Sequence, residues 1–201
     1  IICVGVLVMN VESIWAGNAV DNYVWVPNWE DDTINRIDKL NPNDLKTVSL
    51  GDSPASVAVD DKYVWVVNYW GSTVNRIDKS NPDSPPVEIY VGNEPQPIAV
   101  DRDYVYVPLF TSTQIARINK QKVGIPGQIP VDYFSVGRWP HFLTIDDKYI
   151  WVTYRYERKI SRLDKETFVE TGKIDIRDYG IISYLYVDKD YLWSCGVEAD
   201  N

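Results

Sequence analysis

Hydrophobic and polar positions along this chain alternate in short bursts, and the bursts recur. Val24-Trp25-Val26 returns as Val64-Trp65-Val66, Val105-Tyr106-Val107 and Ile150-Trp151-Val152, and begins again at Leu192-Trp193. The central aromatics stand 40, 41, 45 and 42 residues apart. Eleven residues after each of the first four comes an Arg: Arg36, Arg76, Arg117 and Arg162. Two residues later stands an acid or amide (Asp38, Asp78, Asn119, Asp164), followed directly by a Lys. A repeat of this length is a supersecondary unit that buries its apolar face only against its neighbours.

The unit from Pro54 to Gly92 shows the pattern in full. Ser56-Val57-Ala58-Val59 predicts a short strand and Asp60-Asp61-Lys62 a turn. Residues 63–68 predict a second strand, dense in β-branched and aromatic side chains. A loop at Tyr69-Trp70-Gly71-Ser72 leads to a third strand over 73–78, where Val74 and Ile77 alternate with Asn75 and Arg76. After a polar, Pro-rich connection, 87–91 predict a fourth. Four short strands bounded by turn residues and repeated at this period spell an all-β fold, a β-propeller of four-stranded antiparallel blades. No segment sustains an apolar period of 3.6, which excludes helical solenoids.

About four and a half blades are present, with approximate units at 17–53, 54–94, 95–139, 140–181 and a partial one at 182–201. The chain begins with Ile and stops just after a strand, so it reads as a fragment of a six- or seven-bladed propeller. Residues 1–16 have two readings: the remnant of a secretory signal, or the outer strand of a preceding blade. Their apolar stretch, Ile1 to Met9, is too short to span a membrane.

Composition narrows the partners. With 29 acidic against 20 basic side chains, the net charge of −9 excludes nucleic acid, whose phosphates need clustered Lys and Arg. The two cysteines, Cys3 and Cys195, make neither a disulfide framework nor a metal-ligand spacing, and are read as unpaired thiols. Paired acids recur after each first strand, as at Asp60-Asp61, Asp101-Arg102-Asp103 and Asp146-Asp147. They suit tight turns in which Asp bonds its own backbone, and no twelve-residue calcium loop accompanies them. The Arg and Asp two positions apart share a strand face, and the expectation is a structural ladder of ion pairs.

Trp25-Val26-Pro27-Asn28 and Trp65-Val66-Val67-Asn68 resemble the repeat of the YVTN family of β-propellers. Val64 to Lys79 is also similar to the repeats of virginiamycin B lyase-like proteins. The resemblance runs from Asn22 to Gly196 and implies an extracytoplasmic propeller: secreted, periplasmic or at the cell surface. For the lyase it implies a catalytic His acting as general base and acidic groups that hold magnesium. His141 is the one histidine present, and no acidic partner is identifiable by motif.

A site should lie where the repeats differ at a repeated place. Three inter-blade connections read Gly-x-x-Pro: Gly51-Asp52-Ser53-Pro54, Gly92-Asn93-Glu94-Pro95 and Gly137-Arg138-Trp139-Pro140. Gly is expected to allow the turn and Pro to set the start of the next strand. Variable polar and aromatic residues on this scaffold nominate Asp52, Glu94, Gln96, Arg138, Trp139 and His141 as one ligand face, the alternative being solvated loop residues. Trp29 and Trp70, on the loops between second and third strands, are expected either to stack on a ligand or to tuck between blades. The leading expectation is a non-catalytic module that binds a protein, glycan or small molecule and needs no cofactor. Its alternatives are a magnesium-dependent lyase and an architectural cell-envelope module.

Overall fold

The computed structural model describes residues 22–179 and 181–197. Segment 1–16, with Cys3 and both readings of that stretch, lies outside the described residues. The chain divides into two compact units, Ile1–Val91 and Gly92–Asn201.

The described residues form strands and turns with no helix. In the first unit, β1 (Tyr23–Asn28), β2 (Thr33–Asp38) and β3 (Leu45–Ser49) make one antiparallel meander. A second meander runs β4 (Pro54–Val59), β5 (Tyr63–Asn68), β6 (Thr73–Asp78) and β7 (Val87–Tyr90). The second unit holds a sheet of β8 (Ala99–Val100), β9 (Tyr104–Leu109), β10 (Gln114–Asn119) and β11 (Val131–Ser135). Its next sheet is β12 (Pro140–Ile145), β13 (Tyr149–Tyr154), β14 (Lys159–Asp164) and β15 (Glu170–Asp175). The pair β16 (Ile181–Val187) and β17 (Leu192–Val197) completes it. These are the blades of part of a β-propeller, in the strand order the repeat predicts. The strand β8 is the shortest because Pro95 and Pro97 remove two donors from its ladder, and only an isolated bridge from Pro95 to Leu109 extends it.

Within each unit, adjacent sheets bury their faces against each other. Trp25 and Ile34 of the first sheet pack with Val64, Val66 and Ile77 of the second. In the second unit Tyr106 and Ile115 pack with Leu143, Ile150, Val152 and Leu163, and Ile160 packs with Ile182 and Leu185. Both faces of the second strand are covered in the best-enclosed sheet, where Val64, Trp65, Val66 and Val67 are fully buried. Each such side chain contributes roughly 1.5–3 kcal/mol. Trp193 departs from the buried aromatic column: it is 56% exposed, because no further sheet covers it among the described residues.

What the repeat encodes is a clamp around one aspartate. Asp60 accepts hydrogen bonds at Oδ1 from the Lys62 and Tyr63 amides, both at 2.8 Å, and at Oδ2 from the Trp65 indole at 2.9 Å. Asp101 repeats this with the Asp103 and Tyr104 amides and the Tyr106 hydroxyl, and Asp146 with Lys148, Tyr149 and Trp151. The conserved-by-repeat Lys then closes the turn: Lys79, Lys120 and Lys165 donate to the carbonyls of Asp60, Asp101 and Asp146 at 2.9, 2.7 and 3.1 Å. The first acid of each pair is therefore a turn former, as expected, and its carboxylate is occupied by protein donors.

The Arg of the repeat makes a contact that its own strand did not announce. Arg36, Arg76, Arg117 and Arg162 lie over Tyr23, Tyr63, Tyr104 and Tyr149, with 4.4–4.5 Å from guanidinium carbon to ring centroid. The Asp two positions on ends the strand by accepting main-chain amides, as Asp38 does from Leu40 and Asn41 and Asp164 does from Glu166 and Thr167. The Tyr ring faces the Arg from the paired strand on the same face, and the contact is a cation–π one. Arg117 also reaches an acid across strands, Asp132 at 3.4 Å.

Asp60→Ala leaves a fully buried indole N–H and two amides without acceptors. It is expected to lower unfolding stability by about 2–3 kcal/mol, measured by urea denaturation with an unchanged denaturant slope. A loss within error of zero would contradict the clamp.

Candidate functional site

The Gly-x-x-Pro connections lie against the hairpin tips between second and third strands. In the first unit the Gly51 amide donates to Asn75 Oδ1 at 3.0 Å and the Ser53 amide to Asp32 Oδ1 at 2.8 Å. The Ser53 and Asp52 carbonyls accept from Tyr69 and Gly71 at 2.8 and 3.1 Å. In the second unit the Glu94 carbonyl accepts from Phe110, the Trp139 carbonyl from Arg155, and the Arg138 amide donates to Glu157 Oε1 at 2.6 Å.

Glycine serves the connection by its smallness. A Cβ on Gly51 would sit 2.7 Å from the Asn68 amide, and one on Gly137 2.6 Å from the buried Tyr154 ring. Only Gly92 also needs a left-handed backbone, at φ 107°. The left-handed step falls instead on the residue before Pro: Ser53 at φ 59°, Glu94 at 48° and Trp139 at 53°. For side chains other than glycine this costs about 1 kcal/mol each. The step therefore belongs to the scaffold, whatever residue stands there.

The sequence-nominated residues separate into three environments. Asp52 is exposed, beside an aromatic run in which Trp29 meets Tyr69 at 5.4 Å and Tyr69 meets Trp70 edge-on at 4.7 Å; Trp70 is 58% exposed. Gln96 is buried and donates to the Glu94 carbonyl at 3.2 Å, so it braces its own connection, and Glu94 is half-buried. Arg138 and Trp139 are exposed and line an open pocket of about 400 Å³ with Thr111, Ser112, Thr113 and Gln114 from the tip between β9 and β10. Tyr156 stands edge-on to Trp139 at 5.0 Å.

His141 lies near the start of β12, where the pairing with β13 is irregular between Pro140 and Leu143. Phe142 and Phe110 flank its ring at 4.2 and 5.7 Å, and its Nδ1 is buried without a hydrogen-bond partner. Burial first, and the Arg155 charge second, push its pKa down to about 4. At neutral pH the imidazole is neutral, and its conjugate acid is too strong for efficient proton abstraction near pH 7. Among the described residues no three His, Cys, Asp or Glu side chains come together to hold a metal ion. The donor set of the described residues does not fit a bound magnesium.

Ser112, Thr113 and Gln114 were not legible as site residues. The signal was available in a comparison of the same step across hairpins: Asp32, Ser72, Thr113 and Arg158 each stand seven residues after the central aromatic.

No protein-family model and no curated protein matches the chain. Solved structures do. A streptogramin B lyase structure superimposes with a TM-score of 0.72 at 13% identity, covering 87% of this chain and 59% of that one. Virginiamycin B lyase from Staphylococcus aureus gives 0.67 at 16%, covering 90% and 69%. Kuenenia stuttgartiensis hydrazine synthase gives 0.69 at 17%, covering 82% and 48%. The chain has the virginiamycin B lyase-like propeller fold. It spans between about half and two thirds of the length of these proteins.

The buried neutral imidazole predicts an acid-side loss of stability. The folded state binds less proton than the unfolded chain between the ordinary value of 6.5 and about 4. Stability should therefore be fully present above 6.5 and fall as the pH is lowered through that window, by up to about 3 kcal/mol. His141→Phe should flatten this segment of a stability-versus-pH curve; an unchanged slope would refute the assignment. Asp101 acts lower: burial raises its pKa, but Lys165 at 2.8 Å and two amides outweigh this and hold it below 3.8. Its contribution is lost only as the pH falls through that lower value.

Proposed function

We propose that the protein is an extracytoplasmic binding module, non-catalytic in the part seen here, that holds a ligand through connections and hairpin tips of its blades. The observation that carries this reading is where the chain departs from its own repeat. Strand patterns and Asp turns repeat from blade to blade, and the turn carboxylates of Asp60, Asp101 and Asp146 are taken by protein donors. The exposed Trp29, Trp70, Trp139 and Tyr156 rings gather at the tips and connections. Aromatic rings held by a rigid scaffold, with polar side chains beside them, are a common basis of ligand contact.

A lyase is the second reading, favoured by the likeness to structures titled streptogramin B lyase and virginiamycin B lyase. His141 would be its base. The flanking phenylalanines, the acidic conjugate acid and, among the described residues, a buried Nδ1 with no hydrogen-bond partner weigh against that role.

The two readings separate in one experiment. The protein is incubated with streptogramin B and magnesium and product is followed by mass spectrometry, while immobilised protein is screened against glycans, peptides and small ligands. The binding reading predicts no turnover by wild type or His141→Ala, and retention of a ligand that weakens in Trp29→Ala, Trp70→Ala or Trp139→Ala. Turnover that disappears in His141→Ala would overturn it.

A further inference from the structure

The pocket beside Trp139 has a counterpart in the first unit that is closed from within, and the difference between them names a ligand. In the first unit the hairpin tip supplies Asp32, whose carboxylate takes the Ser53 amide at 2.8 Å. At the same step of the hairpin in the second unit stands Thr113, too short and uncharged to do this. The corresponding connection amide belongs to Trp139, and among the described residues no tip side chain takes it. One position earlier, the acid Asp52 of the first unit is replaced by Arg138. Two substitutions at matched positions thus exchange an internal carboxylate for an open pocket and an acid for a cation.

Arg138 is well placed to meet an external charge. Its main chain is anchored by Glu157, and that acid is neutralised by Lys159 at 2.8 Å. The guanidinium itself has no ion pair among the described residues. Trp139 is 36% exposed, with Tyr156 edge-on to its ring at 5.0 Å. Thr111, Thr113 and Gln114 add two hydroxyls and an amide to the lining. An aromatic ring beside hydroxyl and amide groups suits a pyranose, whose C–H face stacks on the ring while its hydroxyls bond the polar side chains.

We infer that this pocket binds a saccharide bearing a carboxylate, of the uronic-acid type, with that carboxylate taking the place Asp32 fills in the first unit. The inference rests on the binding-module reading and specifies its ligand. Arg138 pairs with the carboxylate, Trp139 stacks on the sugar ring, and Thr111, Thr113 and Gln114 receive hydroxyls.

Calorimetric titration of the protein with a glucuronate-terminated disaccharide, its neutral glucose-terminated counterpart and acetate tests this. The acidic disaccharide should bind, the neutral one about tenfold more weakly or worse, and acetate weakest. Arg138→Gln should erase the preference for acid while leaving residual sugar binding, and Trp139→Ser should weaken both disaccharides by about tenfold. Thr113→Asp supplies the internal carboxylate: it should abolish acidic-disaccharide binding while unfolding stability stays equal or rises, which separates a blocked pocket from a damaged fold. Equal affinity for acidic and neutral disaccharides, acetate binding as well as the disaccharide, or full binding by Thr113→Asp would each overturn the proposal. Retention of peptides or other ligands without either disaccharide would overturn it and leave the binding-module reading standing; retention of nothing in either experiment would remove both.

Discussion

A single carboxylate, tied at one oxygen to two main-chain amides and at the other to the aromatic of the following strand, governs the blades that carry Asp60, Asp101, Asp146 and Asp188. It turns the chain after the first strand, fixes the register of the second, and satisfies the one polar atom that a buried Trp or Tyr carries inward. A Lys from the far end of the third strand then caps the turn carbonyl. Because a buried donor without an acceptor costs about 1–3 kcal/mol, these bonds are requirements of burial as much as sources of stability. They explain why Asp, aromatic, Arg and Lys recur together at fixed spacing.

The fold was legible because those constraints act over short distances. Strand, turn and hairpin all close within a window of about twenty residues, so residues 54–92 are enough to read a blade. The ring contact of the Arg was missed for a three-dimensional reason. Spacing along one strand places Arg36 and Asp38 on a common face, but the stronger neighbour comes from the paired strand, where Tyr23 offers its ring. Glycine was likewise assigned to a turn when two of the three are required for space beneath Asn68 and Tyr154. That contact links residues 17 positions apart, as in Gly51 and Asn68, and no local rule exposes it.

The site was legible only in outline. Departures from the repeat picked out the connections, and Arg138 and Trp139 do line a pocket there. Gln96, chosen on the same ground, is buried and braces its own loop, and His141 is wedged between phenylalanines. Variability alone does not distinguish a residue that varies because it meets a ligand from one that varies because its packing partner varies. The pairing of connection with preceding hairpin tip does distinguish them. Asp32 with Ser53 closes one such junction, and Thr113 with Trp139 leaves the other open.

The same physics thus divides the aromatics into two populations, one locked by aspartate and one presented at the loops. Exchange of the indole N–H protons, followed by heteronuclear NMR, reads this division directly. Trp65 and Trp151, bonded to Asp60 and Asp146 at 2.9 and 2.8 Å, should exchange only when their sheets open. Trp29, Trp70 and Trp139 should exchange about a hundredfold faster or more. A common rate for all five would contradict the account.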